Sequence, residues 1–291
     1  MSLLRRLGDY GRLVRFSHTV FALPFAVMGA VLAMRAGGRL GLREASWILV
    51  AMVGARTAAM TANRLADREI DARNPRTRDR ELPSGRMGVG EVWGLLLVST
   101  AAFVLACGML NRLTLYLSPV VLAVLFSYPF TKRFTWLCHL WLGVALGLSP
   151  VGAWVAVKGG FGEGFPAVLL LGGAVVLWTA GFDVLYALLD VEADRRQGLF
   201  SLPARLGVVP ALVLSALFHV GTAALLVVAG VLAGLSWVYF AGAALVTVIL
   251  AAEHVVVKAD DLSKVNVAFF TMNGAVSLAL MAALLLDVWF R

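Results

Sequence analysis

Residues 165–194 read FPAVLLLGGAVVLWTAGFDVLYALLDVEAD. The run Phe165–Leu188 carries a single charge, Asp183, and is long enough to cross a bilayer, which takes about 20 apolar residues. It opens onto Asp190 and Asp194, and Arg195 and Arg196 follow at once. Such a segment sets carboxylates at the end of a membrane helix, backed by cations. Bare carboxylates at membrane depth are costly, so they mark a functional site by default.

The rest of the chain has the same character. Of its 291 residues, 60% are hydrophobic and only 14% charged, against roughly a quarter in soluble domains. The apolar runs are continuous and lack the alternation of a transmembrane barrel. Nine spans are predicted: Phe16–Met34, Ser46–Leu65, Val92–Leu110, Thr114–Tyr128, Cys138–Val157, Phe165–Leu188, Pro210–Val231, Ser236–Val256 and Val267–Phe290. The fourth is the shortest. The expected architecture is one all-α integral membrane domain over residues 1–291. The basic, then apolar, N-terminus lacks a small-residue cleavage site and reads as a retained first helix.

Arginines and lysines set the orientation. With the N-terminus in the cytoplasm, the inside holds Arg5, Arg6, Arg12 and Arg15, then Arg64 to Arg86, Lys132 and Arg133, Arg195 to Arg205, and Lys258 and Lys264. The outside holds Arg35, Arg39, Arg43, Arg112, Lys158 and Arg291. The net charge of +8 favours an anionic membrane surface or substrate over nucleic acid. Cys107 and Cys138 fall near opposite membrane faces, which argues against a disulfide or a thiolate metal site.

A second acidic row lies at the end of the second span. In Asn63-Arg64-Leu65-Ala66-Asp67-Arg68-Glu69-Ile70-Asp71, Asn63, Asp67 and Asp71 recur every four residues and share a helical face, drifting about 40° per step. Arg56 falls on nearly the same face, deeper in the span. Asp183, Asp190 and Asp194 share a face by the same reasoning, with Tyr186 beside them. Two rows of hard oxygen ligands suit Mg²⁺, which takes a few carboxylates plus phosphate oxygens and water. Facing each other, the rows would repel unless cations lay between them. A diphosphate bridged by Mg²⁺ meets that need, and arginines hold its remaining oxygens. The loop Tyr128-Pro129-Phe130-Thr131-Lys132-Arg133 adds two cations on the same side. The second and sixth spans both run into such a motif, which suggests two related halves and a ninth helix left over.

These residues carry a resemblance. Asn63–Asp71 is similar to the NxxxDxxxD motif of the UbiA-type intramembrane prenyltransferases, and Asp183–Asp194 to their DxxYAxxDxxxD motif. Asn74-Pro75-Arg76-Thr77, the Tyr128–Lys132 loop and Gly198-Leu199-Phe200-Ser201-Leu202-Pro203 also resemble that family. The opening Arg15-Phe16-Ser17-His18-Thr19-Val20-Phe21 resembles 4-hydroxybenzoate polyprenyltransferases and leans toward their relatives on the futalosine route to menaquinone. The resemblance implies a nine-helix bundle around a lipid-accessible cavity, with both motifs at its cytoplasmic mouth in the inner membrane. It implies an enzyme that moves a polyprenyl group from its diphosphate to an aromatic acceptor. Asn63, Asp67 and Asp71 would hold one Mg²⁺, and Asp190 and Asp194 a second. Arg64, Arg68, Lys132 and Arg133 are candidate diphosphate binders, with Tyr128 beside them. Asp183 is a candidate for orienting or deprotonating the acceptor, and Tyr186 for stabilising the allylic cation. Arg15, His18 and Arg56 are candidates for an acceptor carboxylate, with an Asp of the second motif as an alternative partner for Arg56. No obligate protein partner is implied.

Two rivals stand beside this expectation. Repeated halves and intramembrane carboxylates also occur in secondary transporters, though their sites lie near the midplane. A lipid-synthesising prenyltransferase would use a glycerol phosphate acceptor. His139, His219 and His254 look isolated and structural, as does Glu253. Trp136, Trp141, Trp237 and Trp289 fall near span ends, where Trp anchors helices.

Overall fold

The computed structural model describes Tyr10, Gly11, Leu13 and residues 21–290; Arg15 and His18 lie outside them. Regular structure among the described residues is helical throughout. The helices are α1 (Leu23–Arg35), α2 (Leu42–Ala66), α3 (Arg68–Arg73), α4 (Val89–Leu110), α5 (Arg112–Thr131), α6 (Cys138–Lys158), α7 (Phe165–Ala187), α8 (Val191–Arg196), α9 (Leu202–Leu206), α10 (Val208–Leu232), α11 (Trp237–Val256) and α12 (Val265–Trp289).

Eight of these are long and apolar enough to cross a membrane, counting α7, its 3₁₀ turn and α8 as one run. The thirteen-residue α1 is apolar but shorter. Residues 16–20 of the first predicted span lie outside the described residues. The fourth, the least obvious in the sequence, is a full 20-residue helix. Its start is fixed by Asn111, whose Oδ1 accepts the Thr114 amide at 2.9 Å. The Asn111 Nδ2 donates to the carbonyls of Val155 (2.9 Å) and Ala156 (3.1 Å), which ties α5 to the end of α6.

The central helix is α7. Its apolar stretch is 67% buried, against 17% for α2, so α7 is enclosed while α2 lies at the margin, with Ile48, Met52 and Asn63 opening onto a cavity. The helix packs between α6 and α10. Between hydrocarbon-solvated helices, close approach relies on small residues. On α6, a Cβ at Gly143 would strike the Val176 carbonyl, and one at Gly147 the Gly172 carbonyl. The outer surface is apolar, with Leu217, Val220 and Val248 each more than half exposed. Trp136, Trp141, Trp237 and Trp289 are exposed at helix ends, as interfacial anchors should be. Both cysteines are buried and free, one near the end of α4 and one opening α6.

The structure corrects one expectation about the motifs. Neither lies on one unbroken α-helix. Asp67 terminates α2 and precedes α3. However, Asp67 N donates to the Asn63 carbonyl (2.9 Å) and Asp71 N to the Asp67 carbonyl (2.7 Å), so the four-residue spacing survives the joint. The second motif leaves α7 at Ala187, passes through a 3₁₀ turn at Leu188–Asp190 and resumes as α8. A 3₁₀ turn rotates 120° per residue rather than 100°, so the face shared by Asp183, Asp190 and Asp194 is not that of one helix.

Candidate active site

One cavity of about 640 Å³ collects both motifs. Its deep part is lined by apolar groups including Ile48, Met52, Leu117, Val121 and Leu146. Its polar part holds Asn63, Asp67, Asp71, Asp183, Asp190 and Asp194, with Arg64, Arg76, Arg80, Lys132 and His139. The α2–α3 joint supplies the first motif and the end of α7 with α8 the second. The connections after α3 and α5 supply Arg76, Arg80 and Lys132, and α2 itself supplies Arg64.

Every motif carboxylate is engaged. Lys132 Nζ lies 2.6 Å from Asp67 Oδ2, and Asn63 Nδ2 donates to the same oxygen at 3.2 Å. Arg80 Nη1 donates to both oxygens of Asp71, at 2.8 and 2.9 Å, and buried Arg64 stands 3.9 Å from it. Arg76 grips Asp190 with two nitrogens, Nε to Oδ1 at 2.8 Å and Nη2 to Oδ2, and its Nη1 donates to the Tyr186 hydroxyl at 2.9 Å. Asn74 Nδ2 donates to Asp190 Oδ1 at 2.8 Å. Ser201 Oγ donates to Asp194 Oδ2 at 2.5 Å. His139 Nδ1 is 2.7 Å from Asp183 Oδ2.

Burial raises the Asp67 pKa, and the charge of Asp71 adds to the rise; Lys132 and Arg133 oppose it without cancelling it. For Arg76, burial acts to lower the pKa, but the hydrogen bonds and charge of Asp190 outweigh it and the net shift is upward.

The donor set fits a hard cation. Asp67 Oδ1 is buried and accepts no hydrogen bond among the described residues, with Arg133 3.8 Å away. An ionised oxygen in that state calls for a positive partner. Among the described residues no three acids, histidines or cysteines cluster as a ready-made metal cage. Mg²⁺ characteristically takes one or two carboxylates and completes its shell with phosphate and water. The paired motifs offer that kind of incomplete site.

Of the other predicted residues, Arg56, Tyr128 and Tyr186 line the cavity. Arg68 is exposed and lies outside the lining. Arg133 is also outside the lining, donating to the Ala66 carbonyl and lying over the Phe130 ring. Asn74, Arg76, Arg80, His139 and Ser201 were missed as site residues. The dense run from Arg73 to Arg86 is the signal that could have found the arginines. His139 is not isolated, since it meets Asp183. His219 and His254 are also paired, at 3.0 Å, beside Glu253 and away from the cavity.

Lys132→Ala should therefore shift the pH dependence of stability. A group whose folded pKa is raised contributes stability fully below its unfolded value, about 3.9 for Asp, and loses it as pH rises through the folded value. Removing Lys132 raises the folded pKa of Asp67 further. The thermal midpoint of the variant in detergent with EDTA should match the wild type most closely near pH 4 and fall furthest below it at neutral pH. A gap that is constant across pH would show that Lys132 does not support an ionised Asp67.

A model of the UbiA prenyltransferase family matches residues 22–275. The 4-hydroxybenzoate octaprenyltransferase of Coxiella burnetii (strain Dugway 5J108-111) is 38% identical over 205 residues, 69% of each protein. The apo structure of a UbiA homologue from Aeropyrum pernix K1 has a TM-score of 0.84 at 36% identity, covering 93% of this chain and 98% of that one. A UbiA homologue from Archaeoglobus fulgidus bound to DMAPP and Mg²⁺ shares the fold, with a TM-score of 0.68 at 18% identity and coverage of 97% and 100%. Since the family match spans most of the chain and relatives exceed a third identity on the same bundle, this chain belongs to the UbiA prenyltransferase family.

Proposed function

We propose that the protein transfers a polyprenyl group from a polyprenyl diphosphate to an aromatic acid in quinone biosynthesis, the acceptor being 4-hydroxybenzoate or a menaquinone precursor. The observation that carries this reading is the cavity itself. Five motif carboxylates and a ring of cations line one apolar chamber, which suits a ligand with a charged head and a hydrocarbon tail. The name of the Coxiella relative supports the acceptor class, and the Mg²⁺ bound to the Archaeoglobus homologue supports the metal. The carboxylates stand where helices end, not at the midplane site expected of a transporter.

In this reading Asp67 and Asp71, with Asn63, face one Mg²⁺, and Asp190 and Asp194 a second. Bound Mg²⁺ supplies the charge neutralisation that makes diphosphate a leaving group. Lys132, Arg80 and Arg76 already touch the carboxylates, and each can turn to phosphate oxygens when the head group arrives. Arg64 lies behind Asp71 and neutralises it from within the bundle. The apolar lining excludes water from the allylic cation that forms as the C–O bond breaks. Tyr186, stacked on Phe269 with ring centroids 4.2 Å apart, offers that cation an aromatic face. Arg56, in the lining, is assigned to an acceptor carboxylate; the other candidates for that role, Arg15 and His18, lie outside the described residues.

Purified protein should consume a prenyl diphosphate and prenylate an aromatic acid only with Mg²⁺ or Mn²⁺. Asp67→Ala, Asp71→Ala, Asp190→Ala and Asp194→Ala should each cost more than the roughly 100-fold typical of losing an outer-shell partner, while eluting as folded protein. Full turnover in excess EDTA, or near-normal turnover of Asp190→Ala, would refute the paired-motif site.

The acceptor side is tested by Arg56→Ala. Its KM for the aromatic acid should rise far more than its KM for the donor, because a bidentate arginine reads carboxylates. Removing the carboxylate from the acceptor should then cost the wild type much and the variant little. Equal losses in both would assign Arg56 to structure.

The mouth of the cavity faces the cytoplasm in this proposal, from the asymmetry of Lys and Arg. Single cysteines at Arg78 and Arg196 should react with an impermeant maleimide in inverted vesicles but not in intact cells. The opposite labelling would reverse the route of substrate entry.

A further inference from the structure

Asp183 is held from behind by a residue that looked merely structural in the sequence. His139 stands in the first turn of α6, buried, with Nδ1 2.7 Å from Asp183 Oδ2. Its Nε2 accepts the backbone N–H of Leu202 at 3.2 Å. A backbone amide can only donate, so Nε2 presents its lone pair and the ring proton stays on Nδ1, aimed at Asp183. The Asp183 side chain keeps 21% of its surface exposed and lines the cavity. With Oδ2 taken by His139, Oδ1 has no hydrogen-bond partner among the described residues and is left to face a ligand.

The amide that fixes the imidazole belongs to the Gly198–Pro203 segment, a stretch the reaction so far leaves without a task. Three successive residues there are tied to the site. Phe200 N donates to the Lys132 carbonyl at 2.8 Å, Ser201 Oγ to Asp194 at 2.5 Å, and Leu202 N to His139. One turn thus sets both the last carboxylate of the second motif and, through His139, the first.

We propose that His139 is a positioning residue that holds Asp183 as the acceptor of the ring proton, with the Leu202 amide fixing its tautomer. The proposal rests on the aromatic reading above. The donor C–O bond breaks and its electron pair leaves with diphosphate. A π pair of the ring forms the new C–C bond. The proton on the substituted ring carbon passes to Asp183 Oδ1, its C–H pair restores aromaticity, and the proton is lost to water when product leaves. Holding the carboxylate in one orientation removes a search from that transfer.

The test uses purified protein in detergent, Mg²⁺, geranyl diphosphate, and 4-hydroxybenzoate with or without deuterium at the ring positions beside the hydroxyl. His139→Leu should lower kcat roughly 10- to 100-fold, as loss of an outer-shell positioning partner does, with the donor KM unchanged. It should also expose a primary deuterium isotope effect on kcat that the wild type lacks, because proton removal has become slow. His139→Asn, which can still donate to Asp183, should recover part of the rate. Placed on Asp183→Asn, His139→Leu should cost little more, since residues acting through one another are not additive. If His139→Leu does not fold, the Asn variant and the isotope effect in it decide the matter. A donor KM that rises in step with the kcat loss, without an isotope effect, would reduce His139 to an anchor for the 198–203 turn and overturn the proposal. Unchanged kcat would overturn it too. A wild type that consumes geranyl diphosphate but prenylates no aromatic acid would remove the aromatic reading and this proposal with it. That outcome is read on the wild type alone and so is distinct from the others.

Discussion

Carboxylates at the rim of an apolar bundle stay ionised only against cations, and much of this structure follows from supplying them. Desolvating an ionised carboxylate costs several kcal/mol even after relaxation. Asp67, Asp71 and Asp190 are each met by at least one Lys or Arg within 3 Å. One countercharge, Arg64, comes from α2 itself and stands 3.9 Å behind Asp71, but the cations in direct contact do not. They come from the connections: Arg76 and Arg80 from the loop after α3, and Lys132 from the turn after α5. The connections at this end are therefore structural parts of the site rather than spacers.

The countercharges also cross between the motifs. Arg76 follows the first motif in sequence but grips Asp190 of the second. Lys132 lies between the motifs and reaches back to Asp67. Asp190 is thus held by a cation that follows the first motif, and the cavity mouth is held together by the same charges that a diphosphate would draw on. Behind this layer a second polar system shapes the aromatic wall. Helix α12 widens into a π turn at Ala268–Met272, a form often found at functional sites. Asn273 secures it by donating to Glu253 Oε1 (2.6 Å) and to the Ala268 carbonyl (3.1 Å), while accepting from Trp178 Nε1 (2.6 Å). The turn carries Phe269, which stacks on Tyr186. Glu253, on α11 and fully buried, thus acts on the site by holding backbone.

The fold and the two motifs were legible because both depend on local patterning. Continuous apolar runs report membrane helices, and four-residue spacing reports a shared face. The joint at Asp67 and the 3₁₀ turn before Asp190 were not legible, because spacing alone does not distinguish a straight helix from one that bends while keeping most of its hydrogen bonds. The pairing of acids with cations was only half legible. Arg64 and Lys132 were picked out by proximity to the motifs, whereas Arg76 and Arg80 were submerged in a run of arginines whose inside bias explained them well enough. Arg68 was selected because it adjoins Asp67, yet adjacent residues on a helix point about 100° apart, and Arg68 is exposed. His139 reads as isolated in the sequence. Its partners, Asp183 and Leu202, lie 44 and 63 residues away, and no periodicity reports that.

The asymmetry between the two motifs follows from the same physics. Beside the Asn63 amide on Asp67, the first motif holds its acids mainly with lysine and arginine, side chains that can leave and rebind as charge arrives. The second adds fixed dipoles: Asn74 on Asp190, Ser201 on Asp194 and His139 on Asp183. Mobile cations suit a subsite that must admit and release a highly charged diphosphate, because the countercharge can transfer from carboxylate to phosphate without either being stranded in hydrocarbon. Fixed dipoles suit a subsite where one atom must be in one place when a bond forms. Asp183 lies farthest back along α7 and has no lysine or arginine against it among the described residues. It is held by a ring whose own orientation is set by a backbone amide. On that ground the division of labour runs along the second motif, from charge exchange at Asp190, which Arg76 grips, to the proposed proton placement at Asp183.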